Sequence, residues 1–249
     1  MAVALVLALA LTACSGGTAT DGGDGGAAPA PGNAGEPGSE SGGSPSDGAG
    51  DEATTPGEDS AGQASEPPAT GERPQRKEVT LRIEGMEEPI EVLLFETPAD
   101  WPLAFSTYYP EDWLVETASS GEGDGVTFVA NYGGTRNDQV TLTIFAYPAG
   151  TDADGAQELA RSLATSLGLA ELAPGERTYP WALTEYAGTA SLGEVELVAR
   201  LGLGRHGDRY FSILYQYPPE FGDGFAPRAA VVLDEWRWSD TGEPLDSGS

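Results

Sequence analysis

From Ser15 to Gln75 this chain contains no Val, Ile, Leu, Met, Phe, Tyr or Trp. A stretch without large apolar side chains cannot bury a core, so nothing offsets the backbone entropy that folding would cost it. It is filled almost entirely by Gly, Ala, Pro, Ser, Thr, Asp and Glu, and the scattered Gly and Pro also oppose helix and strand. The segment is therefore expected to be a disordered stalk. A Gly-rich coil of this length has an end-to-end distance of about 40–45 Å. Any fold must be built from the residues beyond Gln75. Apolar periodicity is confined to Lys77 through about Asp240, long enough for one domain with a real core, and a short flexible tail is expected over 241–249.

Ahead of the stalk, Ala2 to Leu11 is an unbroken apolar run. It is too short for a hydrocarbon core that needs about 20 apolar residues, but it fits the h-region of a secretory signal. The run ends in Leu11-Thr12-Ala13-Cys14, which holds the only cysteine of the protein. These four residues resemble the lipobox of bacterial lipoproteins. The resemblance implies cleavage between Ala13 and Cys14 and transfer of a diacylglyceryl group to the Cys14 thiol. Residues 1–13 are then the signal peptide and 14–76 the lipidated cysteine and linker. An unpaired thiol in an exported protein is a reactive liability that acylation removes. The expected location is extracytoplasmic, at the cell surface or in the periplasm, held to a membrane by lipid.

The formal net charge is −28, and residues 73–249 carry 29 acids against 12 bases. An acidic surface is repelled by phosphate backbones and anionic headgroups, which argues against nucleic acid and peripheral lipid binding. A cation or a basic protein is the expected partner.

Within 77–240 the chain reads as strands broken by turn clusters. Val79 to Ile83 and Ile90 to Phe95 form an expected hairpin around Glu84 to Pro89, followed by Leu103–Tyr108, Trp113–Thr117, Val126–Tyr132 and Val140–Tyr147. Ala156, Leu159, Ala160, Leu163, Ala164 and Leu167 then recur at helical spacing. Asp154 and Gln157 form a capping-box pattern at the start of that helix, and Gly168 stops it. Three further strands are expected near Thr178–Glu185, Glu194–Leu203 and Tyr210–Tyr217, with a turn at Gly204–Asp208. In the second of these Val195, Leu197, Ala199, Leu201 and Leu203 share one apolar face. A last helix is expected from Phe225 or Pro227, with Phe225, Ala229, Val232, Leu233 and Trp236 inward.

Antiparallel strands with one-faced amphipathic helices define an α+β class. The Phe105 to Trp113 segment, with its Tyr109-Pro110-Glu111-Asp112-Trp113 core, precedes strand, turn, strand and the Gln157–Leu167 helix. That order resembles the PsbP-like superfamily, as does the terminal Asp234-Glu235-Trp236-Arg237-Trp238. The resemblance covers most of 77–240 and implies an antiparallel sheet flanked by helices, an α/β/α sandwich. It implies no catalytic residue.

Tyr109, Glu111 and Trp113 are the candidate binding surface, an aromatic platform beside an acid; an aromatic strand end of this kind is more often core. Asp152-Ala153-Asp154-Gly155 fails as a calcium loop, because Gly150 and Arg161 fall where carboxylates are required. His206, the only histidine, lies in an expected solvated turn. No nucleophile elbow, zinc-protease motif or phosphate loop is present. Neither a metal nor a cofactor is expected. The expectation is a non-catalytic binding or assembly domain on a membrane-anchored exported lipoprotein; the alternative is a carboxylate-dependent hydrolase acting on cell-envelope material.

Overall fold

A computed structural model describes residues 73–247. Cys14, the signal and nearly all of the stalk lie outside the described residues. Among the described residues all strand pairings are antiparallel, and two α-helices accompany them. The α+β class holds.

Strands β1 (Arg76–Ile83), β2 (Met86–Glu96), β3 (Phe105–Pro110) and β11 (Arg237–Trp238) form a four-stranded sheet in the order β1-β2-β3-β11. A seven-stranded sheet contains β4 (Trp113–Ser120), β5 (Gly123–Ala130), β6 (Asn137–Ala146), β7 (Ala170–Glu171), β8 (Thr184–Leu192), β9 (Val195–His206) and β10 (Arg209–Tyr217). Their order is β4-β5-β6-β10-β9-β8-β7. The strands thus divide between two sheets, where a single one was expected. Pro110, which lacks an N–H donor, closes β3, and after Glu111 and Asp112 the chain enters the other sheet as β4.

Helix α1 (Ala153–Ser166) is capped by Asp152, whose Oδ1 accepts the Gly155 N–H at 2.8 Å. The cap is Asp152, two residues earlier than the expected Asp154, which occupies the first turn. Ala156, Ala160 and Ala164 are buried, while Leu159, Leu163 and Leu167 pack from the flanks. Small residues at the contact let the helix lie close on β9 and β10. Gly168, at φ +74°, ends it as expected, and the Leu169 N–H reaches back to the Ala164 carbonyl at 2.9 Å.

Helix α2 (Gly222–Asp234) begins earlier than expected, which leaves Pro227 inside it. Phe225, Ala229 and Val232 join the large core, and Val231 packs with Val92 and Tyr108 of the four-stranded sheet. The helix ends at Asp234, so Trp236 and Trp238 belong to the following segment, not to its face. Trp236 stacks on Phe105 with centroids 3.7 Å apart, and Trp238 lies edge-on to Trp236 at 5.0 Å. These rings fill the space between the sheets.

Packing extends beyond both expected domain ends. Arg73 donates to Ser106 Oγ at 2.8 Å and to the Glu235 carbonyl at 2.7 Å, and the Tyr108 hydroxyl donates to the Pro74 carbonyl at 2.7 Å. At the other end Leu245 is 5% exposed within the large core. The expected flexible tail is therefore corrected as far as Asp246: an apolar side chain and the Trp238–Glu243 backbone bond hold it down.

The strand expected at Thr178–Glu185 is also displaced. Residues 178–183 are a loop, and β8 starts at Thr184. The Glu185 carboxylate takes the N–H groups of Thr178 and Tyr179, at 2.8 and 3.2 Å, so those donors enter no ladder. Conversely, β9 runs through Gly204 to a two-residue turn at Gly207 and Asp208. A Cβ on Gly204 would collide with the Phe211 ring, so this glycine serves packing and not a turn.

Candidate ligand clefts

Alternation along each strand gives the seven-stranded sheet two chemically distinct faces. On β10, Phe211 and Ile213 join the large core with Tyr215 and Tyr217 packed against it, and Leu214 points to the α1 side. On β6, Val140, Leu142, Ile144 and Ala146 face the large core; Thr141, Thr143 and Phe145 alternate with them. The expected apolar face of β9 (Leu197, Ala199, Leu201, Leu203, with Val195 partly buried) is the one α1 covers.

The α1 side is only partly covered. Beyond the helix lies a groove of about 520 Å³, with an adjoining pocket of about 300 Å³ that shares Glu122, Thr143, Phe145, Leu163 and Leu214. Leu163 and Leu167 of α1, Leu192, Leu197 and Phe145 make its wall apolar, while Thr127, Thr141 and Thr143 lay hydroxyls along its floor. The Thr127 and Thr143 hydroxyls hydrogen-bond each other at 3.1 Å. At the rim, Arg136 donates to Glu116 at 3.1 Å and to Asp138 at 2.6 Å. The hydrogen bond from Arg136 holds the Glu116 carboxyl below its ordinary range.

The opposite side has a cleft of about 400 Å³ between the sheet, α2, the 178–181 loop and the C-terminal segment. Tyr179 stacks on Trp181 at 5.4 Å, Tyr215 lies edge-on to Tyr179 at 6.3 Å, and Tyr217 approaches Phe225 at 4.9 Å. Gly202 leaves the space in which Trp181 lies, since a Cβ there would strike the indole. The loop that carries Tyr179 and Trp181 is anchored by Glu185, which is fully buried and also accepts from Arg200 Nη1 at 2.6 Å. Burial, reinforced by Tyr215, pushes the Tyr179 hydroxyl far above its ordinary range, so the wall is neutral. Asp234 and Asp246 stand at the mouth. Burial, with added repulsion from Glu235 and Asp246, raises the Asp234 carboxyl.

The expected binding surface is not assembled. Trp113 is 3% exposed and stacks on Phe225 at 5.3 Å; it belongs to the core because that large ring fills the space under α2. Tyr109 is half-buried against Phe128 at 5.6 Å. Of the three only Glu111 is exposed, and Arg76 pairs with it at 2.9 Å. His206 is not a solvated turn residue. Its ring stacks on Trp238 at 3.9 Å, and Nε2 lies 2.9 Å from Asp240 Oδ1. Among the described residues no group of His, Cys, Asp or Glu is disposed to hold a metal ion. None of the described helices is long and apolar enough to cross a membrane.

Sequence reasoning missed Tyr179, Trp181, Tyr215, Tyr217, Asp234 and Asp246. A signal existed in the alternation Phe211, Ile213, Tyr215, Tyr217, which marks an aromatic sheet face, and in the unbroken Tyr179-Pro180-Trp181.

The fold and its clefts define an antiparallel α+β domain with an open groove on one face of its larger sheet and an aromatic cleft on the other. No family model matches the chain, and no curated protein matches it by sequence. Among solved structures it is similar to a protein of Bacteroides thetaiotaomicron VPI-5482, at 19% identity over 60% of this chain and 49% of that one, with a TM-score of 0.35. The chain thus spans about half the length of that neighbour. It is also similar to LpqN of Mycobacterium tuberculosis, described as involved in cell envelope biogenesis, at 11% identity over 58% of this chain and 90% of that one, TM-score 0.35. A third neighbour is the cyanobacterial PsbP (CyanoP) of Synechocystis sp. PCC 6803, at 11% identity over 59% of this chain and 92% of that one, TM-score 0.36.

Proposed function

We propose that this protein is an extracytoplasmic lipoprotein, anchored through acylated Cys14, whose 73–247 domain is a non-catalytic binding or assembly module. The observation that carries the reading is the groove beside α1. A sheet face left half uncovered, with an apolar wall and a floor of threonine hydroxyls, offers shape and hydrogen bonds to a bound molecule. Its lining includes no histidine, cysteine or lysine; of its three carboxylates, Glu116 and Asp138 are paired with Arg136, and Glu122 stands in the turn between β4 and β5. The acidic balance of the domain favours a cationic or basic partner whose binding weakens with salt.

Two measurements test this. Metabolic acyl labelling should mark the native chain, and Cys14→Ser should abolish the label and release the protein from membranes; retention with the membrane fraction would end the anchoring part. Photo-crosslinking of the full chain in its native envelope, from probes placed at Thr143 and Leu192 in the groove, should capture an envelope component. Recovery of the uncrosslinked protein alone at low salt would overturn the binding part.

A second reading, the carboxylate-dependent hydrolase, is favoured by one observation: Asp234 and Asp246 share a cleft, and burial raises the Asp234 carboxyl above its ordinary range. Hydrolysis of cell-envelope polysaccharide that disappears in Asp234→Asn would replace the first reading by this one.

A further inference from the structure

We propose that the aromatic cleft between α2 and the seven-stranded sheet binds an organic cation, an ammonium or guanidinium group on a short stem. The proposal rests on the binding-module reading and gives that module a second site, with its own chemistry, on the face opposite the groove.

Three observations converge. The cleft wall is built from rings set both face-on and edge-on to one another, with Tyr179 nearly parallel to Trp181 at 25° and nearly perpendicular to Tyr215 at 88°. Tyr179 and Trp181 cover each other's faces and Trp181 also stacks on Phe211, so the rings left for a cation are the partly exposed Tyr179, Tyr215 and Tyr217, and ring faces attract cations. Two carboxylates, Asp234 and Asp246, stand at the mouth, and among the described residues neither has an ion-pair partner. After burial, Glu235 and Asp246 each oppose the charge on Asp234. An entering positive charge relieves that repulsion as well as meeting the rings. Arg200, whose guanidinium already lies 6.0 Å from the centre of the Tyr179 ring, is matched by fully buried Glu185, so it adds no unopposed charge against a cation.

Size narrows the class. About 400 Å³ accepts a small organic cation or the end of one side chain, and excludes a folded surface. Tyr217 and Phe225 give the stem an apolar wall. An inorganic ion would gain little here, because the described residues offer it no cluster of ligands.

The test uses the full chain in detergent. Choline, its neutral isostere 3,3-dimethylbutan-1-ol and N-acetylargininamide are titrated by calorimetry, with melting temperature as a second readout. One of the two cations should bind and raise the melting temperature, and the neutral isostere should bind at least about tenfold more weakly than choline if choline is the better ligand. Preference for choline assigns the site to free quaternary ammonium compounds; preference for the arginine derivative assigns it to a protein side chain. The double variant Asp234→Asn/Asp246→Asn should weaken the better cation by about tenfold, and Tyr217→Leu by a comparable factor. Both alter partly exposed positions, and an unchanged melting temperature without ligand shows that they fold. Equal binding of choline and its isostere, with no binding of the arginine derivative, overturns the proposal. So does full affinity in the double variant, or silence from both cations at tens of millimolar. If the cations fail while probes at Thr143 and Leu192 still capture an envelope component, the cleft assignment falls and the binding-module reading stands. If both fail, both fall.

Discussion

The two faces of the seven-stranded sheet are made of different materials. On the α1 side, alanines bring a helix close, leucines flank it, and threonines line the part left open. On the other side Phe, Tyr and Trp pack ring on ring, and a second sheet and a second helix close over them. The difference teaches that one strand set can host two kinds of site. Small residues at a contact fix a helix without filling the whole face, and so leave a groove. Large rings fill space in bulk, and leave only a cleft where their edges fail to meet.

If the aromatic side is the cooperative core, its loss should unfold everything. Trp236 is 1% exposed and bridges the sheets through Phe105 and Trp238, so Trp236→Ala should cost about 3–5 kcal/mol in urea unfolding. A cost under about 1 kcal/mol would show that the aliphatic side carries the fold. Next in size is Glu185→Ala, which strands Arg200 and releases the Thr178 and Tyr179 donors. Breaking a buried pair from one end costs about 3–5 kcal/mol, and Arg200 is partly exposed, so about 2–3 kcal/mol is expected here. Hydrogen exchange should rise in 178–183 and stay unchanged in α1; equal acceleration in both would mean that the faces are not independent.

A third test uses pH to reach the α1 side. Burial raises the Tyr147 hydroxyl to about 12, against an ordinary value of 10. Its folded value lies above its unfolded one, so the stabilisation is complete below pH 10 and is lost as pH climbs toward 12. The loss should be on the order of 2–3 kcal/mol. Tyr147→Phe should flatten that part of the alkaline unfolding curve; an identical slope in the variant would place the effect on the aromatic side, at Tyr179. The smallest effect is expected at the cleft mouth. Asp234 is raised, so its charge opposes folding above its unfolded value, and the residue is largely solvent-exposed. Asp234→Asn should stabilise by less than about 0.5 kcal/mol at pH 7 and by nothing near pH 3. Destabilisation at pH 7 would mean that the carboxylate has a cationic partner in the folded state.

Much of this fold was legible because period and burial agree. The β9 alternation from Val195 to Leu203 and the Ala156–Leu167 spacing each point at one buried face, and each found it. Failures cluster where a side chain overrides the local pattern. Glu185 captures backbone donors and turns an apparent strand at 178–183 into a loop, a bond formed across seven residues that no window of propensity contains. Gly204 looked like turn punctuation but accommodates a ring from the next strand. Trp113 looked like a platform because burial is not written in a residue's type. The aromatic cleft was illegible for a further reason. Tyr179, Tyr217 and Asp246 are separated widely along the chain, and only the closure of α2 and the C-terminal segment over the sheet brings them together.

Arg73 and Lys77 both lie over the Tyr108 ring, at 4.5 and 4.3 Å, and both reach Glu235 at the end of α2. This is where the chain enters the domain. Under the anchoring proposed above, a pull arriving through residue 72 would meet Arg73 first and then β1, which carries Lys77 and, among the described residues, is an edge strand paired with β2. Such a load would first part Arg73 from Ser106, Glu235 and the Tyr108 ring, and would draw Lys77 from the same carboxylate and ring only as β1 itself peels. The contacts that fix the entry of the chain would then also be the first to carry a load directed at the four-stranded layer.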